Sequence, residues 1–232
     1  MATHRGVLVP AGRHSDRCIL SNVIDANGPL DTRSRRSDIS REGLKMTLNT
    51  IRQLEGFAYL ALFALSIPLA NWLIGNVGTF CVPDGPCVIP VWPGISAPSG
   101  VLAIGAALVL RDLVQRRLGV RWAVAAIVVG AALSGLVAPP ALILASVVAF
   151  ALSEIADLAV FTPLQRRGLV LAVAASGAVG IVVDSILFLS LAFGNLEFLS
   201  GQVIGKTWTL IAALPLIQLV RSRDKKLGLI PA

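Results

Sequence analysis

Six apolar runs separated by polar connections follow one another along the chain. An α-helix needs about 20 apolar residues to cross the roughly 30 Å of hydrocarbon in a bilayer, and each run is close to that length. The pattern therefore predicts an all-α integral membrane protein with six transmembrane helices. The runs cover residues 57–77, 99–115, 122–138, 139–161, 169–193 and 198–220.

Polar segments flank the apolar region on both sides. Residues 1–55 are rich in Arg, Ser, Asp and Gly and have no sustained helical or strand period, which predicts a disordered cytoplasmic leader. Residues 56–221 then form the transmembrane domain, and residues 222–232 form a short basic tail. Met46 lies just before the first apolar run, so Met1 and Met46 are both open as the true start.

Basic residues lie in alternate connections between the runs. Lys and Arg occur in the leader, at residues 116–121, at 166–167 and in the tail, whereas the loops at 79–98, 139–140 and 194–197 contain none. Because connections rich in Lys and Arg stay on the cytoplasmic side, we expect both termini in the cytoplasm. The same reasoning predicts a multi-pass protein of the inner, or cytoplasmic, membrane.

The composition supports the membrane assignment and excludes several other classes. With 55% hydrophobic and 14% charged residues and a mean hydropathy of +0.78, the chain is too apolar for an ordinary soluble domain. The net charge of +7 lies in the leader and at the ends of the runs, so it indicates topology and no nucleic-acid partner. Without a metal-ligand cluster, an evident nucleophile or a phosphate-binding loop, we expect no metal, no cofactor and no enzymatic activity.

Two cysteines flank a short turn in the first outer loop. Cys81 and Cys87 enclose residues 83–86, which contain two prolines and a glycine. They could close a small disulfide if this loop faces an oxidising compartment. Two unpaired thiols fit the same spacing equally well, so the sequence leaves both alternatives open.

Six ionisable side chains fall within or close to the runs, where a charge costs about 3 kcal/mol on the insertion scale. At about 1.5 Å of rise per residue from the basic clusters, two of them lie within roughly 10 Å of the cytoplasmic edge and Glu154 at about 18 Å. Asp184 and Lys206 both fall at roughly 22 to 25 Å on consecutive helices, which predicts an ion pair that could also be purely structural. The six are Arg111 and Asp112, which are the shallow ones, with Glu154, Asp157, Asp184 and Lys206.

Glu154 and Asp157 form the predicted centre of the site. They are three residues apart, so they project from one face of a helix. The six ionisable residues comprise four acids against two bases, so either some acids are protonated or a further donor satisfies them. A guanine-like heterocycle would be such a donor, because its ring N–H and amino group match the two oxygens of a carboxylate.

Other residues could complete such a site. Gln202, near Lys206, could add a polar contact. Arg111 and Asp112 are expected to form a gate on the cytoplasmic side or a structural pair, or Arg111 simply extends to the membrane interface. Aromatic side chains could stack on a flat ligand, although lipid or core packing is the commoner role for each one. These aromatic residues are Phe150, Phe161, Phe188 and Trp208.

The sequence resembles the VUT family of vitamin uptake transporters, also called queuosine precursor transporters. The resemblance covers residues 57–220 and is carried by VLRDLVQRR at 109–117, SEIAD at 153–157, TPL at 162–164, VDS at 183–185 and GQVIGK at 201–206. It implies a six-helix inner-membrane protein similar in fold to the substrate-binding components of energy-coupling-factor transporters. It also implies uptake of 7-cyano-7-deazaguanine or 7-aminomethyl-7-deazaguanine, and it marks the six ionisable residues named above as candidate functional residues.

The resulting hypothesis is a transporter that binds a deazapurine between the fourth, fifth and sixth helices. Glu154 or Asp157 would accept the donor edge of the ligand, and the remaining substrate-binding residues would be Asp184, Lys206, Gln202 and Trp208. The expected partners are this heterocycle and the lipid bilayer, and a homodimer stays open.

Two alternatives belong to other functional classes. One is a vitamin-binding component that acts only when it is docked on a separate ATPase module; the first helix lacks the strict Ala-x-x-x-Ala repeat that such docking would use. The other is a non-transporting membrane scaffold. In a scaffold, neutralising Glu154 and Asp157 would improve stability without loss of phenotype.

Overall fold

The computed structural model describes residues 32–83 and 85–229, and the described residues from 46 onwards form a helical bundle with a small sheet at one end. The long helices are α1 (Thr32–Asn76), α2 (Val101–Leu118), α3 (Val120–Val137), α4 (Ile143–Leu164), α5 (Leu169–Phe193) and α6 (Leu199–Leu227). The strands are β1 (Phe80–Cys81), β2 (Cys87–Trp92) and β3 (Ile95–Pro98), and one 3-10 turn covers Pro140–Leu142. The chain divides into two compact units, Met1–Lys45 and Met46–Ala232, and the bundle belongs to the second.

The helices follow the apolar runs but extend beyond two of them. The fifth run and α5 have the same bounds, whereas α1 begins at Thr32, inside the expected disordered leader, and α6 continues to Leu227, inside the expected tail. The helices are longer than the apolar runs at these two places because hydropathy marks the part of a helix that suits a membrane, not the part that is hydrogen-bonded as a helix. Residues 46–55 and 221–227 contain no Pro or Gly, so nothing in them ends the helix.

Within the described residues, five helices are long and apolar enough to cross a membrane. These are Met46–Asn76 of α1, Val120–Val137, Pro140–Leu164, Leu169–Phe193 and Leu199–Leu227. The chain is therefore a mostly helical, multi-pass membrane protein. The remaining helix, α2, is 18 residues long but contains Arg111, Asp112, Arg116 and Arg117, so its membrane crossing, and with it the six-span topology and the cytoplasmic termini, stays a prediction.

The loop after α1 is not irregular, so the protein is not purely helical. β1, β2 and β3 form an antiparallel three-stranded sheet in which Val88 is opposite Pro98 and Ile89 is opposite Ala97. The β2 sequence is rich in β-branched and aromatic residues, which favour strands, but it is too short to appear as a membrane run. We call the end of the bundle that carries this sheet and residues 194–197 the sheet end, and the end that carries residues 116–121, 166–167 and 221–226 the basic end.

The sheet packs on α6, which also lies close against α2. Trp208 of α6 donates a hydrogen bond from Nε1 to the carbonyl of Val91 at 3.0 Å. A Cβ on Gly105 of α2 would lie 2.9 Å from the Thr209 Cβ and 3.1 Å from the Lys206 carbonyl oxygen, so the two helices need a glycine at their contact. This close packing places Lys206 in the interior of the bundle, where its exposed fraction is 1%.

Candidate functional site

A cavity lies inside the sheet end of the bundle. It offers about 70 Å³ to the centres of water-sized molecules and about 650 Å³ of empty space when its open mouth is included, which is room for several waters. Most of its wall is apolar, and the charged members are Asp184 and Lys206. The polar lining is completed by Asn71, Ser134, Ser146 and Gln202, and the aromatic lining by Phe150 and Phe188.

Lys206 uses all three of its ammonium protons in this wall. Its Nζ donates to Asp184 Oδ2 at 2.5 Å, to Gln202 Oε1 at 2.6 Å and to Ser185 Oγ at 3.0 Å. A lysine has three donors and no acceptor, so Lys206 is fully satisfied by these neighbours. It therefore holds Asp184 and Gln202 in place and has no donor left for a ligand.

Asp184 and Gln202, which both line the cavity, keep free hydrogen-bonding capacity. Because Gln202 accepts from Lys206 through its oxygen, its amide NH₂ is directed elsewhere, and it donates to no residue in the described part of the chain. Asp184 Oδ1 likewise receives no hydrogen bond from a described donor, and the side chain is 11% exposed. The cavity therefore presents a carboxylate acceptor and an amide donor side by side, with phenyl rings nearby.

A second polar cluster lies deeper in the bundle, around Arg111. We call it the Arg111 cluster, and it consists of Arg111, Asp112 and Gln115 of α2, Glu154 and Asp157 of α4, and Ser176 of α5. Arg111 is fully buried. Its Nε donates to Glu154 Oε2 at 2.9 Å, Nη1 lies 3.0 Å from Asp112 Oδ1, and Nη2 is paired with Asp157 Oδ1.

The rest of the Arg111 cluster links it to its surroundings. Ser176 donates to Asp112 Oδ2 at 3.0 Å, and Gln115 accepts from Arg111 at 3.3 Å and donates to Thr162 Oγ1 at 3.0 Å. The Arg111 guanidinium also lies 6.0 Å from the ring centre of Phe161, within the range of a cation–π contact. One guanidinium thus serves three carboxylates.

The sequence-based depths for this cluster were wrong. Arg111 was expected near the membrane edge and Glu154 near mid-membrane, yet the two side chains are hydrogen-bonded. The estimate assumed that every basic cluster marks the edge, whereas Arg116 and Arg117 are 8% and 3% exposed and are paired inside the protein. Arg111 and Asp112 form an ion pair, and this pair is part of one cluster with Glu154 and Asp157.

A third polar group joins three helices at the basic end. Asp224 of α6 accepts from Arg116 at 2.9 Å and from Arg117 at 2.7 Å, and Arg117 Nε lies 2.9 Å from Glu55 of α1. Beside it lies a wide opening of about 1210 Å³, which we call the basic vestibule. Its charged lining residues are Arg116, Arg166, Arg167, Arg221, Asp224 and Lys225, and Gln115 and Thr162 lie at its inner wall.

The predicted residues thus fall in three places, which are the cavity, the Arg111 cluster and the sheet. Asp184, Lys206 and Gln202 come together in the cavity, and Glu154 and Asp157 come together with Arg111 and Asp112 in the Arg111 cluster. Trp208 belongs to neither, because it is 46% exposed and stacks on Trp92 of β2 at 6.2 Å between ring centres. Cys81 and Cys87 are joined by a disulfide between β1 and β2.

Three contributors were missed at the sequence level. Gln115 follows Arg111 by one helical turn, and Ser185 follows Asp184 directly, so helical spacing could have suggested the first and adjacency the second. Ser176 lies in an Ala- and Gly-rich run of α5. Its role depends on where α5 crosses α2, which no local signal reveals.

One comparison with known proteins gives a match, and it covers the last three helices. Residues 135–220 match a family model described as "Putative vitamin uptake transporter". This confirms the family resemblance over the segment that carries Glu154, Asp157, Asp184, Gln202 and Lys206. No curated protein and no solved structure gives a significant match.

Proposed function

Because its residues 135–220 match the vitamin uptake transporter family, we propose that this protein imports a queuosine precursor, 7-cyano-7-deazaguanine or 7-aminomethyl-7-deazaguanine. The observation that carries the proposal is the cavity in which Asp184 and Gln202 lie beside Phe150 and Phe188. Few polar groups in an otherwise apolar pocket are typical of a site for a small heterocycle.

The two free polar groups of the cavity complement a guanine-like edge. Such an edge presents a ring N–H and an amino group as donors next to a carbonyl acceptor. Asp184 Oδ1 can accept from the donors, and the Gln202 NH₂ can donate to the carbonyl. Phe150 and Phe188 provide flat apolar surfaces for the ring system.

This assignment moves the ligand's carboxylate partner from α4 to α5. The sequence had suggested Glu154 or Asp157, but both are paired with Arg111 and neither lines the cavity. Asp184 is held by Lys206 on one oxygen only, so it can bind a ligand without giving up its counterion.

The position of the cavity fits uptake from outside the cell. Its lining residues lie at the ends of helices next to the sheet, such as Ile74 at the end of α1, Val101 at the start of α2 and Gln202 at the start of α6. The connections at this end contain no Lys or Arg and are predicted to face outwards. A substrate from outside would therefore meet the cavity first.

Queuosine content of tRNA provides the test. A bacterium that can neither make nor import the precursors would be supplied with each one at low concentration, with and without this protein. We expect restoration by the wild type, loss of at least tenfold in uptake by Asp184→Asn and by Gln202→Leu, and wild-type uptake by Ser190→Ala, an exposed control on the same helix. Equal restoration by all variants would show that the ligand does not bind at Asp184. No restoration by wild-type protein that is verified in the membrane would refute the substrate.

A further inference from the structure

The Arg111 cluster lies between the two openings of the bundle. Along α2, Ile104 lines the cavity, Arg111 and Asp112 lie in the cluster, and Gln115 lines the basic vestibule. From Ile104 to Gln115 the helix rises about 16 Å. Along α4 the order is the same, with Phe150 at the cavity, Asp157 in the cluster and Thr162 at the vestibule. The cluster therefore separates the cavity from the vestibule.

The charges of the cluster do not balance. Asp112, Glu154 and Asp157 face one guanidinium, and their exposed fractions are 1%, 1% and 0%. Three ionised carboxylates around one Arg would leave two uncompensated negative charges in a region that excludes water. Carboxylates that share a site cannot all ionise at modest cost, so the fully ionised cluster is a high-energy state that takes up a proton readily.

One oxygen marks where that proton sits. Asp157 Oδ2 is buried and receives no hydrogen bond from any donor in the described residues. Asp112 Oδ1 also receives no such hydrogen bond, but it lies 3.0 Å from Arg111 Nη1 and is ion-paired there. Asp157 and Asp112 are held on the Nη2 and Nη1 atoms of the same guanidinium, and Ser176 lies beside both of them. The single hydroxyl proton of Ser176 is donated to Asp112, which leaves Asp157 Oδ2 without a donor. Two carboxylates have no donor between them, so only a proton bound to one of them can supply the missing hydrogen bond.

The surrounding charged groups leave this position free for a proton. On α2 they are Arg111 and Asp112, on α4 Glu154, on α5 Asp184, which acts on Glu154 across the gap, and on α6 Lys206. Lys206 is occupied by Asp184 and its neighbours, and Arg111 already contacts all three acids. A metal cation is disfavoured because the Arg111 guanidinium occupies the centre of the cluster.

We propose that Asp157 and Asp112 share a transported proton, so that uptake is driven by a proton gradient. The proposal rests on the proposed function for the identity of the substrate. A hydronium ion from the cavity side gives its proton to Asp157 Oδ2, forming an O–H bond and leaving water. The proton later leaves to a water on the vestibule side, next to Gln115 and Thr162. The cluster thereby alternates between an ionised state with two uncompensated negative charges and a protonated state with one.

Proteoliposomes containing the full chain test the coupling. Radiolabelled 7-cyano-7-deazaguanine, and in a parallel assay 7-aminomethyl-7-deazaguanine, would be added outside with the outside more acidic than the inside. A pH-sensitive dye would report the interior pH. We expect the wild type to accumulate the label at least tenfold above the outside concentration and to acidify the interior. Asp157→Asn, which mimics the protonated state, should only equilibrate the label, whatever the gradient. Asp112→Asn repeats the test at the other carboxyl group in case the first variant fails to fold.

The outcomes separate the two proposals. Equilibration by the wild type without accumulation or acidification would leave the proposed function intact and refute proton coupling. If the wild type moves neither precursor, the substrate is wrong and infrared spectroscopy of the purified protein decides the proton question. A protonated carboxyl C=O band that is lost in Asp157→Asn and kept in Asp224→Asn supports the shared proton, and the absence of such a band in the wild type overturns it.

Discussion

Arg111 satisfies carboxylates from two helices with three different nitrogen atoms. A guanidinium can do this because its donors point in fixed, coplanar directions, and a lysine ammonium has no such fork. The arrangement makes Arg111 the structural counterion of the cluster as well as the barrier between the two openings. Replacing Arg111 should therefore lower the stability of the protein before an effect on transport can be measured.

Arg111→Met should be strongly destabilising. It would leave three buried acids without their counterion, and breaking a buried pair in this way costs about 3–5 kcal/mol. We expect a large fall in the melting temperature of purified protein, or failure to accumulate in membranes. Arg121→Met is an exposed control in the first turn of α3, and it should melt like the wild type. Equal stability of the two variants would contradict the role assigned to Arg111.

Residue types were easier to predict than residue partners. The sequence identified the charged residues of both polar groups, because any ionisable side chain in an apolar run needs an explanation. It paired Asp184 with Lys206 from their equal depth, and the structure contains that ion pair. It did not pair Arg111 with Glu154, because the depth estimate took Arg116 and Arg117 as surface markers while Asp224 holds both inside the protein.

At the scale of elements, α6 depends on a close approach to α2. Gly105→Ala should destabilise the protein by about 1–3 kcal/mol, because the new methyl group would press on Thr209 and on the Lys206 backbone. The same shift would displace Lys206, so ligand binding should weaken too. Gly75→Ala in α1 has open space around its Cβ and should be neutral or slightly stabilising. Thermal unfolding in detergent would measure both, and equal melting would argue against the tight α2–α6 contact.

The ion pairs at the basic end should differ in strength according to burial. Asp224→Asn would leave Arg116 and Arg117 buried without their shared acid and should cost about 3–5 kcal/mol. Glu55→Gln weakens a pair with the half-exposed Arg223 and one of the two contacts of Arg117, so its cost should be about 1 kcal/mol. Chemical unfolding measures the free energy of unfolding of both variants. A loss for Glu55→Gln as large as that for Asp224→Asn would contradict the expected dependence on burial.

Elements were predicted well where hydropathy and helix length coincide. α5 has the predicted bounds because apolar residues fill it from end to end. The ends of α1 and α6 were misplaced because their polar residues are held by contacts with Arg117 and with Arg116, which are remote in sequence. The sheet was missed because a strand of six residues and two shorter ones leave little periodicity to detect.

At the scale of the whole molecule, the cavity, the Arg111 cluster and the basic vestibule follow one another from the sheet end to the basic end. This order gives the bundle a direction, with the apolar, aromatic-lined opening at one side and the cationic opening at the other. The positive-inside pattern predicts that the sheet end faces the outside of the cell. The proposed uptake would then begin at the cavity.

Cysteine labelling would test that orientation. In a Cys18→Ser background, Asn195→Cys at the sheet end should react with a membrane-impermeant maleimide in intact cells. Arg166→Cys at the basic end should react only after the membrane is opened. Both side chains are exposed, so burial does not explain a difference between them. The reverse pattern, or equal labelling in intact cells, would refute the six-span topology with cytoplasmic termini.

The disulfide between Cys81 and Cys87 lies close to the rim of the cavity, because the Cys87 carbonyl accepts from the Ser99 amide and the neighbouring Pro98 lines the cavity wall. The positive-inside pattern predicts that this loop faces outwards. We therefore expect newly made chains to carry free thiols until the loop reaches an oxidant outside the cytoplasm. Protein purified with a strong reductant would therefore keep its helices but hold the rim of its ligand cavity more loosely than protein taken from the cell envelope.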